Sequence, residues 1–312
     1  MMRIALIITL SLLFAKSSLG QDRILLIQGA AGEKSYGESF SAAALRWSDL
    51  AAAAKIDFTH IKPGEQDASM KQRIQNWITS DETRNAGDIW ILYLGHGTSN
   101  DSGAKLNLEG PDLSATELAN WLSTFEGQLV FVHGGSASAP FLPQLSGPNR
   151  ILITATRSGS EINYARFGEY FAAAISDSNS DLDLDGSVSL LEAFVAASNE
   201  VEIFYSEAGR LTSEHALLDD NGDGRGYEAL AFDGLRPTSE DQDGRLARQT
   251  ALRESSPGSF LNAEQIKKRN QLERQLETLY SRKKDTLEEE YFTELEAILD
   301  QLAALYREPL DS

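Results

Sequence analysis

Residues 128–141 read QLVFVHGGSASAPF, an apolar run that stops at a cluster of glycine and serine. Such a run predicts a buried strand that ends in a tight turn, and strand ends are where α/β folds present reactive side chains. Ser136 is the side chain presented by that turn. Residues 88–96, DIWILYLGH, form a second run of this kind, which ends at His96 and Gly97. A nucleophile position and an imidazole at two strand ends indicate a candidate catalytic pair.

The segments around these two runs alternate between strand-like and helix-like patterns. The predicted strands are 23–28, 55–61, 88–96, 129–133 and 150–156, and the predicted helices among them are 40–54, 68–79 and 114–124, with a polar loop at 98–104. This alternation predicts an α/β fold with a mostly parallel sheet covered by helices on both faces. The glycine-rich turn at 29–32 lacks the GxGxxG spacing and the P-loop lysine, which favours a tight turn over a nucleotide site.

The order of these features resembles that of the legumain and caspase type of cysteine peptidase. One strand ends in His-Gly, and about forty residues later a second ends in a small-residue turn. The next strand carries Thr-Ala-Thr and is followed by RFGEYF at 166–171. The resemblance extends over residues 23–197 and implies a caspase-like fold. It places His96 on the catalytic histidine, Gly97 on the oxyanion-hole glycine and Ser136 where the family has its catalytic cysteine.

The departure from the family lies at the nucleophile, because the chain contains no cysteine. A thiolate is reactive beside a histidine alone, whereas a serine hydroxyl must lose its proton as it attacks. The substitution therefore predicts a catalytically degenerate homologue that acts as a binding or interaction module for a protein or peptide. The alternative is an active endopeptidase or esterase. In it, Ser136 is the nucleophile, His96 is the general base, and the N–H groups of Gly97 and Ser136 form the oxyanion hole.

A different fold competes for the same serine. Residues 134–138, GGSAS, nearly match the GxSxG turn of α/β-hydrolases, with His215 downstream where that triad would need it. Ser138 replaces the last glycine of the motif, and the strand-end His96 would then have no role. His133 and His60 are interpreted as structural histidines.

The most specific motif in the chain is DLDLDGSVSLLE at residues 181–192. It satisfies the spacing of an EF-hand calcium loop, in which alternate acidic side chains, one backbone carbonyl and a final bidentate glutamate supply hard oxygen ligands. The predicted Ca²⁺ ligands are Asp181, Asp183, Asp185, the carbonyl of Ser187, and Glu192. Predicted helices at 167–175 and 190–205 flank the loop and complete a helix-loop-helix.

A second acidic loop, DDNGDG at 219–224, begins in the same way. Leu230 stands where the bidentate glutamate should be. The sequence leaves open whether this loop is a weak cation site or only a turn.

The beginning of the chain predicts export. Residues 1–20 combine a basic start, a short apolar segment and small residues before Gly20, a pattern typical of a secretory signal peptide, with a membrane anchor as the alternative. We therefore expect a periplasmic or extracellular protein with no membrane span after leader removal. The formal net charge of −19 argues against a nucleic-acid partner, because such a surface repels phosphate.

The remaining chain is predicted to hold one domain and an appendage. Residues 21–235 are assigned to the caspase-like domain, 236–258 to a polar linker, and 259–308 to a C-terminal αα-hairpin. Leucines in the last segment recur at spacings of three and four, which predicts two helices with an apolar stripe. We expect the stripe to pack within the hairpin and on the domain; a homodimer through the hairpin is the alternative.

Overall fold

The computed structural model describes residues 20–64, 68–239, 243–252, 261, 263–283 and 286–306. The predicted leader lies outside these residues apart from Gly20. The strands are β1 Arg23–Gln28, β2 Asp57–Ile61, β3 Asp88–Leu94, β4 Gly97–Asn100, β5 Gly103–Leu106, β6 Leu113–Ser114, β7 Gln128–His133, β8 Arg150–Thr154, β9 Leu217–Asp219, β10 Phe232–Asp233 and β11 Arg236–Pro237. The helices are α1 Lys34–Ala54, α2 Met70–Thr79, α3 Asp81–Arg84, α4 Ala115–Trp121, α5 Leu142–Leu145, α6 Phe167–Ala174, α7 Leu190–Glu207, α8 Arg245–Gln249, α9 Ala263–Ser281 and α10 Glu288–Leu305.

Six strands form the central sheet, in the order β2-β1-β3-β7-β8-β9. All neighbouring pairs are parallel except β8 and β9, which are antiparallel. The central strands β1, β3 and β7 are near-continuous apolar runs, as expected for parallel strands buried on both faces. The predicted fold class, α/β with a mostly parallel sheet flanked by helices, is confirmed.

Each face of the sheet has its own hydrophobic core. On one face α1, α6 and α7 pack around the large side chains Trp47, Phe171 and Phe194. On the other face α2 and α4 cover the sheet, with Ile74 and Leu118 buried against the strands. Alternate residues of one strand enter opposite cores, because successive side chains of a strand point to opposite faces.

Two elements differ from the sequence prediction. The helix predicted to begin at residue 40 begins at Lys34, because its first turns are largely exposed and carry no apolar stripe to reveal them. The predicted loop at 98–104 is instead the antiparallel pair of β4 and β5, which is extended by β6. The small polar residues of this pair give no strand-like pattern in the sequence. Gly103, with a φ of 109°, makes the turn between β4 and β5.

The predicted linker 236–258 is not a linker over residues 243–252. Helix α8 lies inside it, and Asp243 and Ala247 are completely buried. The backbone N–H of Leu190 donates to the carbonyl of Thr250, at 2.8 Å, which ties this segment to the start of α7. The segment was predicted as a linker because its composition is charged. Its buried carboxylates are tolerated because they accept hydrogen bonds from backbone groups of the domain. Residues 240–242 and 253–260 lie outside the described part of the chain.

The C-terminal segment consists of α9 and α10 packed on each other. The side chains buried between them are those of the apolar stripe, namely Leu272, Leu279, Tyr291 and Ile298. The stripe is thus largely covered by the hairpin itself. No helix in the described ranges is both long and apolar enough to cross a membrane.

Candidate functional site

The two residues predicted as a catalytic pair follow neighbouring strands of the sheet. In the parallel pairing of β3 with β7, Tyr93 lies opposite His133. His96 and Ser136 are each three residues beyond this pair, at the carboxyl edge of the sheet. The fold therefore brings the two chain segments together, as the sequence predicts.

Glycines allow the two strand ends to approach at backbone distance. A Cβ atom on Gly135 would lie 1.9 Å from the carbonyl oxygen of Gly95, and one on Gly97 would lie 2.3 Å from the carbonyl oxygen of Ser136. Both distances are far shorter than any contact that a carbon atom tolerates. The glycines of this site are thus required by packing between the two segments, and not by flexibility.

The hydroxyl of Ser136 is occupied by backbone groups. Its Oγ accepts from the N–H of Gly97 and donates to the carbonyl of the same residue, each at 3.3 Å. The side chain is only 2% exposed. The next residue, Ala137, has a φ of 51° and is fully buried, so the turn holds a non-glycine residue in the left-handed region. Its N–H donates to the carbonyl of Glu161, at 2.9 Å.

The imidazole of His96 is hydrogen-bonded to a different backbone group. Its Nε2 lies 3.1 Å from the carbonyl oxygen of Ala31 and donates to it. The ring packs edge-on against Tyr36 at 5.4 Å and Tyr164 at 5.9 Å between ring centres. In the described part of the chain, no hydrogen bond joins His96 to Ser136. The fold thus brings the predicted pair to one edge of the sheet without forming the base-to-nucleophile hydrogen bond of the hydrolase alternative.

His133 is a buried neutral ring beneath the turn. Its Nδ1 accepts from the N–H of Gly135 at 3.2 Å, which places the ring proton on Nε2. Nε2 is buried and has no hydrogen-bond partner among the described residues. Tyr93 and Phe141 each pack edge-on against the ring, at 4.9 Å. Burial lowers the pKa of His133 to about 3, so the ring is uncharged at neutral pH.

The histidine required by the α/β-hydrolase alternative is engaged elsewhere. Nδ1 of His215 lies 2.7 Å from a carboxylate oxygen of Glu161, and its hydrogen bonds do not reach Ser136. His60 lies 3.2 Å from the side-chain oxygen of Gln28. Neither histidine serves the serine in this geometry.

A groove of about 740 Å³ opens at the ends of β1 and β2. Ala31, whose carbonyl accepts from His96, is part of its wall. The polar side chains that line it are Gln28, Ser41, Ser48, His60, Lys62 and Glu109. Of these residues, only His60 was singled out from the sequence, as a structural histidine. The sequence feature that could have pointed to this groove is the position of Gln28 and His60, which stand at the carboxyl ends of the strands on one side of β3.

The acidic loop 181–192 brings three of its predicted ligands together. Asp181, Asp183 and Asp185 each offer an oxygen, and these oxygens lie within 4.8 Å of one another. Burial, followed by the charges of Asp185 and Glu192, raises the pKa of Asp183 to about 6. A cluster of oxygen donors that repel one another fits a hard divalent cation such as Ca²⁺.

Glu192 and Ser187 join this loop through the backbone. Oε1 of Glu192 accepts from the N–H groups of Leu182, at 2.7 Å, and Asp183, at 3.2 Å. Oε2 accepts from Ser189 in the capping box that begins α7. The N–H of Ser187 donates to Asp185, at 2.9 Å. The final glutamate of the motif thus fixes both the loop and the start of the following helix.

Comparison with known proteins finds similarity at the level of structure alone. No protein-family model matches the chain, and no curated protein matches it. The Drosophila initiator caspase Dronc is similar with a TM-score of 0.45 and 11% identity, over 67% of this chain and 82% of that one. Caspase-1 from Spodoptera frugiperda is similar with a TM-score of 0.44 and 8% identity, over 64% of this chain and 86% of that one. Scores this low do not bear on activity.

Proposed function

We propose that this protein is an exported, calcium-binding homologue of the legumain and caspase-like peptidases that has lost catalysis and acts as a binding module for a protein or peptide. The observation that carries the proposal is the state of Ser136. Its hydroxyl is 2% exposed, and both of its hydrogen bonds are made to the backbone of Gly97. The imidazole of His96 is held by Ala31.

The chemistry explains why this geometry favours loss of activity. A serine attacks a carbonyl only when a base removes its proton, and that base must lie within hydrogen-bond reach. In this chain the base position and the nucleophile position are both present, but each is bonded to a different backbone group. The N–H of Gly97, which would stabilise an oxyanion, is bonded to the serine itself.

The groove at the ends of β1 and β2 is the proposed binding surface. It lies at the carboxyl edge of the sheet, where open α/β folds bind their ligands. It carries Lys62 and Glu109, and thus both signs of charge, together with hydroxyl and amide groups. Such a mixture suits the alternating polar groups of an extended polypeptide better than it suits a phosphate-rich ligand.

The acidic loop is the proposed calcium site. The carboxylates of Asp181, Asp183 and Asp185, the carbonyl of Ser187 and the carboxylate of Glu192 would hold the ion. Bound Ca²⁺ supplies no catalytic chemistry in this proposal; it neutralises the carboxylates and fixes the connection between α6 and α7. We expect Ca²⁺ to raise the melting temperature and Asp185→Ala to abolish the rise. If Ca²⁺ leaves the melting temperature of the unmutated protein unchanged, the calcium proposal is wrong.

An active serine hydrolase is the second candidate. It is favoured by the placement of His96 and Ser136 at the ends of adjacent strands, because catalytic hydrogen bonds can tighten when substrate binds. Labelling with a fluorophosphonate probe in the presence of Ca²⁺ separates the two candidates, with Ser136→Ala as the matched control and a known serine hydrolase as the positive control. We expect no labelling of either form. Labelling that disappears in Ser136→Ala would establish an activated nucleophile and overturn the non-catalytic proposal.

A further inference from the structure

The second acidic loop, residues 219–224, is completed by a residue that is distant in sequence. The loop repeats the early acidic spacing of 181–192 but has Leu230 at the twelfth position, where a carboxylate is needed. In the fold, Asp243 lies against the loop instead. Its Oδ1 accepts from the N–H groups of Asp220, at 2.8 Å, and Asn221, at 2.9 Å.

These contacts reproduce those of the final glutamate in the first loop. Oε1 of Glu192 accepts from the N–H groups of the second and third loop residues, Leu182 and Asp183. Asp220 and Asn221 are the second and third residues of the second loop. Asp243 therefore occupies, relative to its loop, the place that Glu192 occupies in the first.

The turns of the two loops also correspond. At the fifth position, Oδ1 of Asp185 accepts from the N–H of Ser187 at 2.9 Å, and Oδ1 of Asp223 accepts from the N–H of Arg225 at 2.8 Å. At the sixth position, both loops have a glycine with positive φ, 90° in the first and 75° in the second. The second loop thus has the backbone turn of a cation loop, although its sequence motif is incomplete.

The independent observation is a set of buried polar atoms without partners. In the described part of the chain, Oδ2 of Asp219 and Oδ2 of Asp243 are both buried without a hydrogen-bond partner, in residues that are 1% and 0% exposed. Oγ of Ser146, a side chain that lies near the Asp219 carboxylate, is buried without a partner there as well. A buried polar atom without a partner destabilises the fold, and does so more strongly when it carries charge.

Three buried carboxylates share this place. The charges of Asp219 and Asp220 act on Asp243 from nearby, and Arg245 partly offsets the charge of Asp220. Closely spaced buried carboxylates are destabilising unless hydrogen bonds, bases or a cation offset their charge.

We propose that the loop 219–224 and Asp243 form a second divalent-cation site, separate from the loop 181–192. The carboxylates of Asp219, Asp223 and Asp243 and the amide oxygen of Asn221 are its side-chain ligands, with the remaining positions filled by carbonyl oxygens and water. The ion would draw these three carboxylates together, because among the described residues only those of Asp181, Asp183 and Asp185 already lie within 4.8 Å of one another. All of these donors are hard oxygens, and the flexible coordination of Ca²⁺ suits ligands drawn from two separate segments better than the strict octahedron of Mg²⁺. The site does not depend on the function proposed above.

The site has a structural consequence for the segment 243–252. Asp220 accepts from the N–H groups of Gly244, at 2.9 Å, and Ala247, at 2.8 Å, and so caps the start of α8. A cation held by Asp219 and Asp243 would connect the end of β9 to this same helix. Cation binding would thus fasten α8, and with it the approach to the C-terminal hairpin, onto the domain.

The test is a calorimetric titration of the EDTA-treated, full-length protein with CaCl₂ alone, repeated with MgCl₂. We expect two Ca²⁺ ions per chain. Asp243→Asn keeps an oxygen for the two N–H groups but places an amide nitrogen where Oδ2 was, and should leave one ion bound. Asp185→Ala should remove the other ion, and the double variant should bind none. Asp233→Asn, which changes an exposed carboxylate outside both loops, is the matched control and should bind two ions.

A second variant tests the site in case Asp243→Asn does not fold. Asp223 is exposed, so Asp223→Ala should fold normally and weaken the second site by about tenfold or more. The proposal is overturned if Asp185→Ala alone abolishes all binding, or if Asp223→Ala and folded Asp243→Asn both bind like the unmutated protein. If Asp243→Asn removes an ion while Asp185→Ala changes nothing, the second site stands and the calcium proposal for the first loop fails.

Discussion

The guanidinium of Arg269, in α9, donates a hydrogen bond to Oδ2 of Asp185 in the acidic loop 181–192. Arg269 is only 8% exposed, so the contact is buried beneath the C-terminal hairpin. A second base acts alongside it, since Nη2 of Arg248 in α8 lies 3.7 Å from a carboxylate oxygen of Asp183. Two arginines thus offset part of the negative charge of the carboxylates that are proposed to bind Ca²⁺.

The first prediction follows from this competition. Arg269→Ala should tighten Ca²⁺ binding to the loop by about tenfold, because a charge-assisted hydrogen bond that the ion must displace contributes about 1.5 kcal/mol. Calcium titration by calorimetry measures the change. Arg274→Ala is the matched control: Arg274 lies on the same helix but bonds to Gln249, at 2.9 Å. Equal tightening in both variants would indicate a general effect of charge and contradict direct competition.

Much of the fold could be predicted from the sequence because its signals are local. β1, β3 and β7 are recognisable as continuous apolar runs without alternating polar residues, because both faces of these strands are buried. The start of α4, in the region predicted as a helix over 114–124, carries a capping box of Ser114 and Glu117, whose S-x-x-E spacing is a local signal of a helix start. The regions that were predicted incorrectly carry no such periodic signal, as in the small-residue pair of β4 and β5.

The site could be predicted only in part, for a physical reason. The positions of His96 and Ser136 follow from where two strands end, which the sequence marks. Their hydrogen bonds depend on how α1 and the turn after β1 place the carbonyl of Ala31, and no local pattern reports that. The role of Asp243 was hidden in the same way, because its partners Asp220 and Asn221 are brought to it by tertiary folding.

The second prediction concerns pH. Asp88, at the start of β3, lies beside Asp22, and burial together with the charge of Asp22 raises the pKa of Asp88 to about 6. The unfolded chain releases this proton near pH 4, so the folded state retains it over the interval between the two values. The contribution of Asp88 to folding stability is therefore lost as pH rises from about 4 to about 6 and does not change further above that range.

Asp88→Asn should remove this loss. We expect the variant to be more stable than the unmutated protein by about 1 kcal/mol at about pH 8, after allowance for solvent screening, and equally stable near pH 4. Urea unfolding across this pH range measures the difference. Asp49→Asn, at an exposed position of α1, is the control for loss of one negative charge. A stability difference for Asp88→Asn that does not vary with pH would show that titration of Asp88 is not its cause.

The third prediction tests the backbone contact between the two strand ends. Gly135→Ala places a Cβ atom 1.9 Å from the carbonyl oxygen of Gly95, where only backbone can move, and should destabilise the protein by at least about 3 kcal/mol. Gly147→Ala is the matched control, since its Cβ would lie 3.7 Å from the Arg150 side chain, an ordinary contact. It should change stability by less than about 0.5 kcal/mol. Similar denaturant midpoints for the two variants would mean that the strand ends are not packed this closely.

The fourth prediction restores the residue that the peptidase family carries at the nucleophile position. Ser136→Cys introduces the only thiol of the chain, so every reaction of a thiol reagent reports on this one atom. Ser136 is 2% exposed, and its hydroxyl is bonded to the backbone of Gly97. His96 is bonded to the carbonyl of Ala31 instead. A thiolate is the reactive form, and in the described part of the chain neither His96, bonded to Ala31, nor the buried neutral His133, bonded to Gly135, makes a hydrogen bond to this side chain.

We therefore expect the cysteine of Ser136→Cys to react with a thiol reagent at least about a hundredfold more slowly than that of Ser123→Cys, because the reagent must wait for local opening. Ser123 is exposed after α4 and serves as the accessible control. Both thiols should react at the same rate in denaturant, which verifies that neither is chemically blocked. The non-catalytic proposal also requires that Ser136→Cys hydrolyse no peptide. Rapid modification of Ser136→Cys, or peptide cleavage that is lost in a second change at His96, would instead show a site that opens and aligns, and the hydrolase would become the better description.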